Sequence, residues 1–425
     1  MAEKNNRISS VRSKSYFKNL ILVLMLVQIL DSYVTLFPGA IPSAIANEFL
    51  SGMSVDVQNS IMAFASGIVT IGMMLVFFNQ YLCDKLGRKK ILGITVAGMA
   101  LASLGMFFSV NYVMYMVFVF FLYFFFTSDI WLIYINEEVI PNKRALYSNI
   151  VLMVGLVGAL SMVICRLIFI TETDPFWRGM TFFPIIVGIP LCLIIFLSLK
   201  ETSQFQLMKE SGIKEKRSFK EDITSIFKTE NRKSYLYLLV IVFLRGVSSI
   251  YLSLFEKYIN DVGTLAQEQV TLIFFLTVFT VLIAYAINGF LADRIGRKPL
   301  LYLWSCLSPI SVVIWVFGAF NTENALGIVM FGYALSHIAY WGSIGIIRLI
   351  TIESLPTDRR GTGVGFRSFI GALGVTVGLL LSSVVILFLG LGPTFIIFVM
   401  GNFFVIPLAV LFVKETKGVE LSEIK

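Results

Sequence analysis

Seven ionisable side chains fall inside long apolar runs of this chain: Asp31, Asp129, Arg166, Arg245, His337, Arg348 and Arg367. A charge at the centre of a membrane-crossing helix costs about 2.5–3.5 kcal/mol on insertion scales, so each calls for an explanation. Asp31, Arg245 and His337 sit about half-way along their runs, and Asp129 lies somewhat towards one end. A buried carboxylate can carry a proton. A buried arginine offers a planar fork that matches a carboxylate or phosphate. Burial and a facing arginine act on a carboxyl proton in opposite senses, so the two groups together can link a proton to an anion. Arg166, Arg348 and Arg367 lie near the ends of their runs and are expected to reach an interface along their flexible stems, without a transport role. The one histidine and four scattered cysteines exclude multi-histidine zinc chemistry, and no CxxC pair is present. No nucleophile–base or metal constellation is present, so neither an enzyme nor a cofactor is expected.

These residues are positioned by elements that the composition identifies. Of the 425 residues 57% are hydrophobic and 14% charged, against about 25% charged in soluble domains, so a soluble or disordered chain is excluded. A bilayer-crossing helix needs about 20 mostly apolar residues. Twelve such runs are read: 19–40, 60–82, 91–109, 113–135, 146–170, 179–199, 234–255, 269–290, 299–319, 326–350, 364–388 and 393–413. The expected fold is an all-α membrane protein of twelve transmembrane helices, without a cleavable signal peptide. With a cytoplasmic N-terminus, 28 Lys and Arg fall on the inner side, and the outer loops hold only Arg178 and Lys257. That bias places both termini in the cytoplasm. It also accounts for the net charge of +8 without nucleic acid.

The halves repeat. Asp84-Lys85-Leu86-Gly87-Arg88-Lys89 answers to Asp293-Arg294-Ile295-Gly296-Arg297-Lys298. Glu138-x-x-Pro141-x-x-Arg144 answers to Glu353-x-x-Pro356-x-x-Arg359, and Lys200-Glu201-Thr202 to Lys414-Glu415-Thr416. The offsets of 209, 215 and 214 indicate a duplication of six helices about an axis along the membrane normal. The expected domains are a six-helix bundle over 1–199, a linker over 200–233 and a second bundle over 234–425. Within the linker, Ser218–Phe227 reads as a short amphipathic helix on the membrane surface. Asp31 and Arg245 are 214 positions apart, at equivalent places of the repeats. Pro38-Gly39 and Pro42 predict a break in the outer half of the first span.

These motifs resemble the major facilitator superfamily, in its branch of sugar porters and metabolite:proton symporters. Gly289-x-x-x-Asp293-Arg294-x-Gly296-Arg297-Lys298 matches that superfamily's loop signature. Glu353-Ser354-Leu355-Pro356-Thr357-Asp358-Arg359-Arg360-Gly361 and the tail from Glu415 to Ile424 resemble motifs of the branch, with Lys414 replacing a proline. The resemblance implies two pseudo-symmetric bundles, alternating access, and a central cavity lined by the first, fourth, seventh and tenth spans, which carry Asp31, Asp129, Arg245 and His337. It also implies a cytoplasmic gate of Asp84, Arg88, Glu138, Arg144, Asp293, Arg297, Glu353, Arg359 and Arg360. In that gate Glu138 would face Arg359 or Arg360, Glu353 would face Arg144, and Arg348 and Arg367 are further candidates. Topology-setting, solvated charges are the alternative. Gly289 is expected to allow close helix packing.

Asp31, with Asp129 second, is expected to carry the coupling proton, and Arg245, His337, Ser249, Tyr251 and Trp341 to bind the solute. A purely structural ion pair and a uniporter are the competing readings. The sugar porters' seventh-span amides are replaced here by Phe243-Leu244-Arg245-Gly246-Val247-Ser248-Ser249. That favours a small organic anion over a sugar or polyol, with a cation or drug, and a transporter-like solute receptor, as further alternatives. The expected partners are a small-molecule solute, protons and the lipid bilayer. The expected state is a monomer in the plasma membrane.

Overall fold

A computed structural model describes residues 13–126, 130–140, 143–173, 175–210, 224, 226–229, 231–355 and 360–418. The described chain is helical: α1 (Lys14–Leu36), α2 (Pro42–Phe49), α3 (Val55–Val69), α4 (Ile71–Leu86), α5 (Arg88–Phe107), α6 (Tyr112–Phe124), α7 (Ile130–Glu138), α8 (Arg144–Phe169), α9 (Phe182–Ser198) and α10 (Ser203–Glu210). After the linker follow α11 (Arg232–Val247), α12 (Tyr251–Val262), α13 (Gln267–Ile295), α14 (Arg297–Gly318), α15 (Ala325–Ser354), α16 (Arg360–Leu389) and α17 (Leu391–Phe412). Ser13 caps α1 by accepting from the Tyr16 N–H at 3.1 Å, and Asn111 caps α6 through Met114 at 2.8 Å.

Ten described helices are long and apolar enough to cross a membrane. In the fourth expected span α6 ends at Phe124 and α7 begins at Ile130, and the apolar stretch of the twelfth is the shorter Leu391–Phe403. The seventh span is longer than expected: after a 3-10 turn at Ser248–Ile250 it continues through α12. Glu256 and Lys257, expected in an outer loop, are therefore buried on a helix. The amphipathic linker helix falls mostly outside the described residues.

Contacts divide the chain into two compact units. Unit one holds Met1–Ala40 and Leu75–Lys216, and unit two holds Ile41–Met74 and Arg217–Lys425. In unit one, α1 packs along α8, and α9 along α5. In unit two, α14 packs on α15, α11 on α16 and α3 on α16. The packing units thus differ from the sequence halves by one segment, 41–74. That segment is fastened in unit two by polar contacts. Ser60 donates to the Ser383 carbonyl at 2.7 Å, and the hydroxyls of Thr70 and Thr376 lie 3.0 Å apart. The buried carboxylate of Glu256 accepts from the Ser43 N–H at 2.8 Å, at the start of α2, and from Asn260 at 2.8 Å. A carboxylate is favoured at that place by the helix dipole.

Glycines set the closest approaches. A Cβ at Gly374 or Gly378, one turn apart on α16, would collide with the backbone of Phe243 or Val247 on α11. Small residues let two helices approach this closely in lipid, and the seam fixes α11 on either side of Arg245. Gly289 serves no such purpose, since a Cβ there would meet nothing within 4 Å. The close helix packing expected there is not found.

Candidate functional site

The 3-10 turn Ser248–Ile250 interrupts the seventh span just after Arg245. Irregular backbone at membrane depth is tolerated where it lines a cavity or is packed by protein. Here it borders a small cavity within unit two, lined among others by Arg245, Ser249, Tyr251, Ser308, Tyr340 and Asn402. Arg245 extends from α11 to α15. Its Nε donates to the Ser343 hydroxyl and its Nη2 to the Tyr340 carbonyl, and the guanidinium carbon lies 4.0 Å from the centre of the Tyr340 ring. A hydroxyl, a carbonyl and a ring face are neutral partners. Among the described residues of unit two, no carboxylate pairs with Arg245.

The other wall is formed by α14 and α17. Ser305 and Ser308, three residues apart and so on one helix face, line it with Asn402 and Trp304. Asn402 donates to the Ser308 hydroxyl at 3.3 Å. The Trp304 indole donates to Asn288 at 2.9 Å, and Asn288 in turn donates to the Gly342 carbonyl at 2.8 Å. Asn288 thereby ties α13, α14 and α15 together and holds the indole wall in orientation.

Of the residues expected to bind solute, Arg245, Ser249 and Tyr251 line this cavity, and Tyr251 donates to the Ser336 carbonyl at 3.4 Å. His337 and Trp341, on the same helix as Ser343, are not among its lining residues. The His337 ring lies 4.7 Å from that of Tyr333, and both its nitrogens are buried without a hydrogen-bond partner among the described residues. Trp341 packs edge-on to Tyr340 at 5.5 Å. Ser305, Ser308, Ser343, Trp304 and Asn402 were not expected. Only the i, i+3 spacing of the two serines hints at them.

In unit one, Asp31 is buried on α1, where its carbonyl accepts from the Thr35 hydroxyl at 2.7 Å. Next to it, Gly155 and Gly158 of α8 leave no room for a Cβ against Gln28, Ile29 and Ser32. Asp129 lies outside the described residues. Arg166 corrects its expectation: it does not extend to an interface but is fully buried, and its Nη1 donates to the Ala40 carbonyl. That carbonyl ends the 3-10 turn Phe37–Ala40, the break that Pro38-Gly39 predicts. The arginine satisfies a backbone group at the interrupted helix end, for which the chain has no regular helical partner.

The repeated loops carry two copies of one charge network. In unit one, Arg88 pairs with Glu137 at 2.9 Å, and Glu201 accepts from the backbone N–H groups of Arg88 and Lys89 at 2.8 and 3.2 Å. In unit two, Arg297 pairs with Glu353 at 2.8 Å, and Glu415 accepts from the N–H groups of Arg297 and Lys298, each at 3.0 Å. The Thr202 hydroxyl donates to Glu137, and that of Thr416 to Glu353. The counterpart of Glu353 is therefore Glu137, and not Glu138 as the motif spacing suggested. One step along a helix turns a side chain by about 100°, and Glu138 turns instead to the backbone N–H and hydroxyl of Ser203 at 2.6 and 3.0 Å. Glu353, expected opposite Arg144, is engaged by Arg297 and Thr416 of its own unit. Arg144 donates to the Val139 carbonyl at 2.9 Å. The Arg297–Glu353 side chains are only 8% and 13% exposed, so this is not a loose, solvated pair. Asp293, largely exposed, adds a second contact to Arg297 at 2.9 Å. The side chains of Asp84 and Arg360, and all of Arg359, lie outside the described residues. Gly87 and Gly296 hold φ of +105° and +100°, and a Cβ at either would press on Glu201 or Glu415.

Burial raises the Glu415 carboxyl, but the N–H groups of Arg297, Lys298, Lys417 and Thr416 outweigh it and hold the group below the ordinary value of 4.5. A carboxyl depressed in the folded state contributes stability above its unfolded value, and that contribution is lost as pH falls through the folded value. The expected result is a thermal midpoint in detergent that drops on acidification below about pH 4.5, with a shallower drop in Glu415→Gln. Parallel curves for the two proteins would refute the assignment.

The family model described as Major Facilitator Superfamily matches residues 21–264 and 237–424. A relative named "Probable 4-methylmuconolactone transporter", from Cupriavidus pinatubonensis, is 25% identical over 261 residues, which span 59% of this chain and 55% of that protein. Rat synaptic vesicle glycoprotein 2A is 30% identical over 105 residues, 25% of this chain and 14% of its own length. The chain thus spans about half the length of the first of these relatives and far less of the second. Among solved structures, the xylose transporter XylE from E. coli in an inward-open conformation is similar with a TM-score of 0.76 at 15% identity, over 96% of this chain and 98% of its own. The D-xylose-proton symporter gives 0.74 at 14%, over 96% and 100%. At such identities the likeness is one of fold.

Proposed function

The chain belongs to the major facilitator superfamily, and we propose that it is a proton-coupled symporter of small organic anions that works by alternating access. That it is a multi-pass membrane transporter follows from the family. The anion is the further step, and one observation carries it: Arg245 lines a cavity at membrane depth with only neutral partners on its own unit. A buried arginine so placed is incomplete until a carboxylate joins it, and its planar fork suits one. The solute in the name of the Cupriavidus relative fits a small organic anion.

Asp31 is the proposed proton carrier, at the position of the first repeat that answers to Arg245, and Asp129 is the second candidate. The paired networks Arg88–Glu137–Glu201 and Arg297–Glu353–Glu415 are proposed to brace the cytoplasmic ends of the two halves, with Glu138, Arg144, Arg359 and Arg360 left to act in the gate. The plasma membrane, with both termini cytoplasmic, is the proposed setting.

Proteoliposomes containing the purified protein and a pH-sensitive dye test this reading. With the outside made acidic, a panel of labelled carboxylates and neutral sugars is offered. The expected result is accumulation of a carboxylate together with internal acidification, and no accumulation of sugars. Movement of neutral sugars alone would remove the anion reading. Carboxylate entry indifferent to the pH gradient would remove the coupling.

A further inference from the structure

The cavity beside Arg245 has a second chemistry that a bare carboxylate would leave unused. Four of its serines spend their hydroxyl protons on carbonyls of their own helices. Ser248 donates to Leu244 at 2.9 Å, Ser249 to Gly246 at 2.7 Å, Ser305 to Tyr302 at 3.0 Å and Ser343 to Tyr340 at 2.8 Å. Their oxygens are left with lone pairs as their remaining polar capacity. Asn402 adds to this: it is 5% exposed, its amide nitrogen is on Ser308, and its Oδ1 is buried with no partner among the described residues. Buried polar atoms in native proteins almost always have a partner, and an exception in a cavity wall points to what the cavity takes.

We infer that this wall recognises hydroxyl groups, so that the transported anion is a hydroxylated carboxylate of the sugar-acid class. The inference rests on the anion reading above and deepens it. The carboxylate is held by Arg245, and hydroxyls of the same molecule donate to Asn402 and to the Ser305 oxygen of α14. A hydroxyl both donates and accepts, so it matches the Asn402 amide whichever of its ends faces the cavity. An ammonium would supply donors too. Among the described residues, however, the lining holds one ionised side chain, the positive Arg245, and nothing negative to receive a second cation. The Trp304 indole, held by Asn288, adds apolar lining to the same cavity for the carbon skeleton that carries those hydroxyls.

The test uses three six-carbon probes on the full-length protein in proteoliposomes: D-gluconate, hexanoate and D-glucitol. Competition against the best-transported carboxylate gives the affinity for each. A site built around hydrogen bonds rejects an analogue that lacks them, so wild-type protein is expected to prefer gluconate over hexanoate by about tenfold or more. In Asn402→Ala and Ser305→Ala, each checked for an unchanged thermal midpoint, the gluconate-to-hexanoate ratio is expected to fall towards one. Two variants on different helices guard against one failing to fold. Hexanoate bound as well as gluconate, a ratio that neither variant moves, or no binding of gluconate at all would each overturn the inference. The first of these leaves the carboxylate reading standing. Binding of glucitol as tight as that of gluconate, unaffected by Arg245→Gln, would instead remove the carboxylate reading and leave the hydroxyl wall intact.

Discussion

Arg245→Gln is expected to reduce kcat/KM for the transported carboxylate by a factor on the order of 10²–10³. Truncating one partner of a buried charge-assisted pair costs about 2–5 kcal/mol, and each 1.4 kcal/mol is a factor of ten. The same substitution is expected to leave the thermal midpoint unchanged or to raise it. In the substrate-free protein the guanidinium is held by Ser343, the Tyr340 carbonyl and the Tyr340 ring, none of which carries a charge. Removing a desolvated charge that has no opposite partner among the described residues of its own unit does not weaken that unit. The combination of lost transport with retained stability separates a binding arginine from a structural one, which would lose both. Arg245→Lys keeps the charge but not the planar fork, and should fall between wild type and Arg245→Gln. Counterflow of labelled carboxylate in proteoliposomes, read beside thermal unfolding in detergent, checks both halves of the prediction. Unaltered carboxylate affinity in Arg245→Gln would end the proposal.

Asp31→Asn is expected to abolish uphill uptake while leaving exchange in place. The amide has nearly the shape of the carboxylic acid, so the seam of α1 against Gly155 and Gly158 is not disturbed. The amide takes up no proton. A single coupled proton supports roughly tenfold accumulation per unit of pH difference, since one pH unit corresponds to about 1.4 kcal/mol. Wild-type vesicles should approach that ratio, and Asp31→Asn vesicles should stop at equal concentrations on the two sides. Counterflow needs no net proton movement and should persist in the variant. If Asp31→Asn still accumulates solute and Asp129→Asn does not, the proton site passes to the fourth span.

Much of the charge chemistry is legible in one dimension. An ionisable residue in an apolar run is conspicuous, and the offset of 214 positions pairs Asp31 with Arg245 before any helix is placed. Pro38-Gly39 marks the break before Ala40, because proline donates no N–H. The network at the loops was only half legible. The acid, the base and the Lys-Glu-Thr ends were all evident as repeats, but spacing chose Glu138 where packing uses Glu137. Adjacent residues on a helix face different neighbours, and the rotation of α7 about its axis is set by what it packs against. The burial of Arg166 is illegible in the sequence for the same reason. Its depth suggested a free end, whereas the carbonyl it reaches belongs to a turn 126 positions earlier.

The sequence alone determined that the chain belongs in a membrane, that its loop motifs repeat at offsets of 209–215 positions, and which few charged residues interrupt its apolar runs. Those properties depend on composition and periodicity, which are local and repeat along the chain. Only the tertiary structure decided that Arg245 meets Ser343 and Tyr340, that Ser308 and Asn402 share its cavity while His337 and Trp341 do not line it, and that residues 41–74 pack with the second unit. Those facts depend on the depth and rotation of helices far apart in sequence. Side-chain packing and close glycine seams fix these, and no spacing along a single helix encodes them.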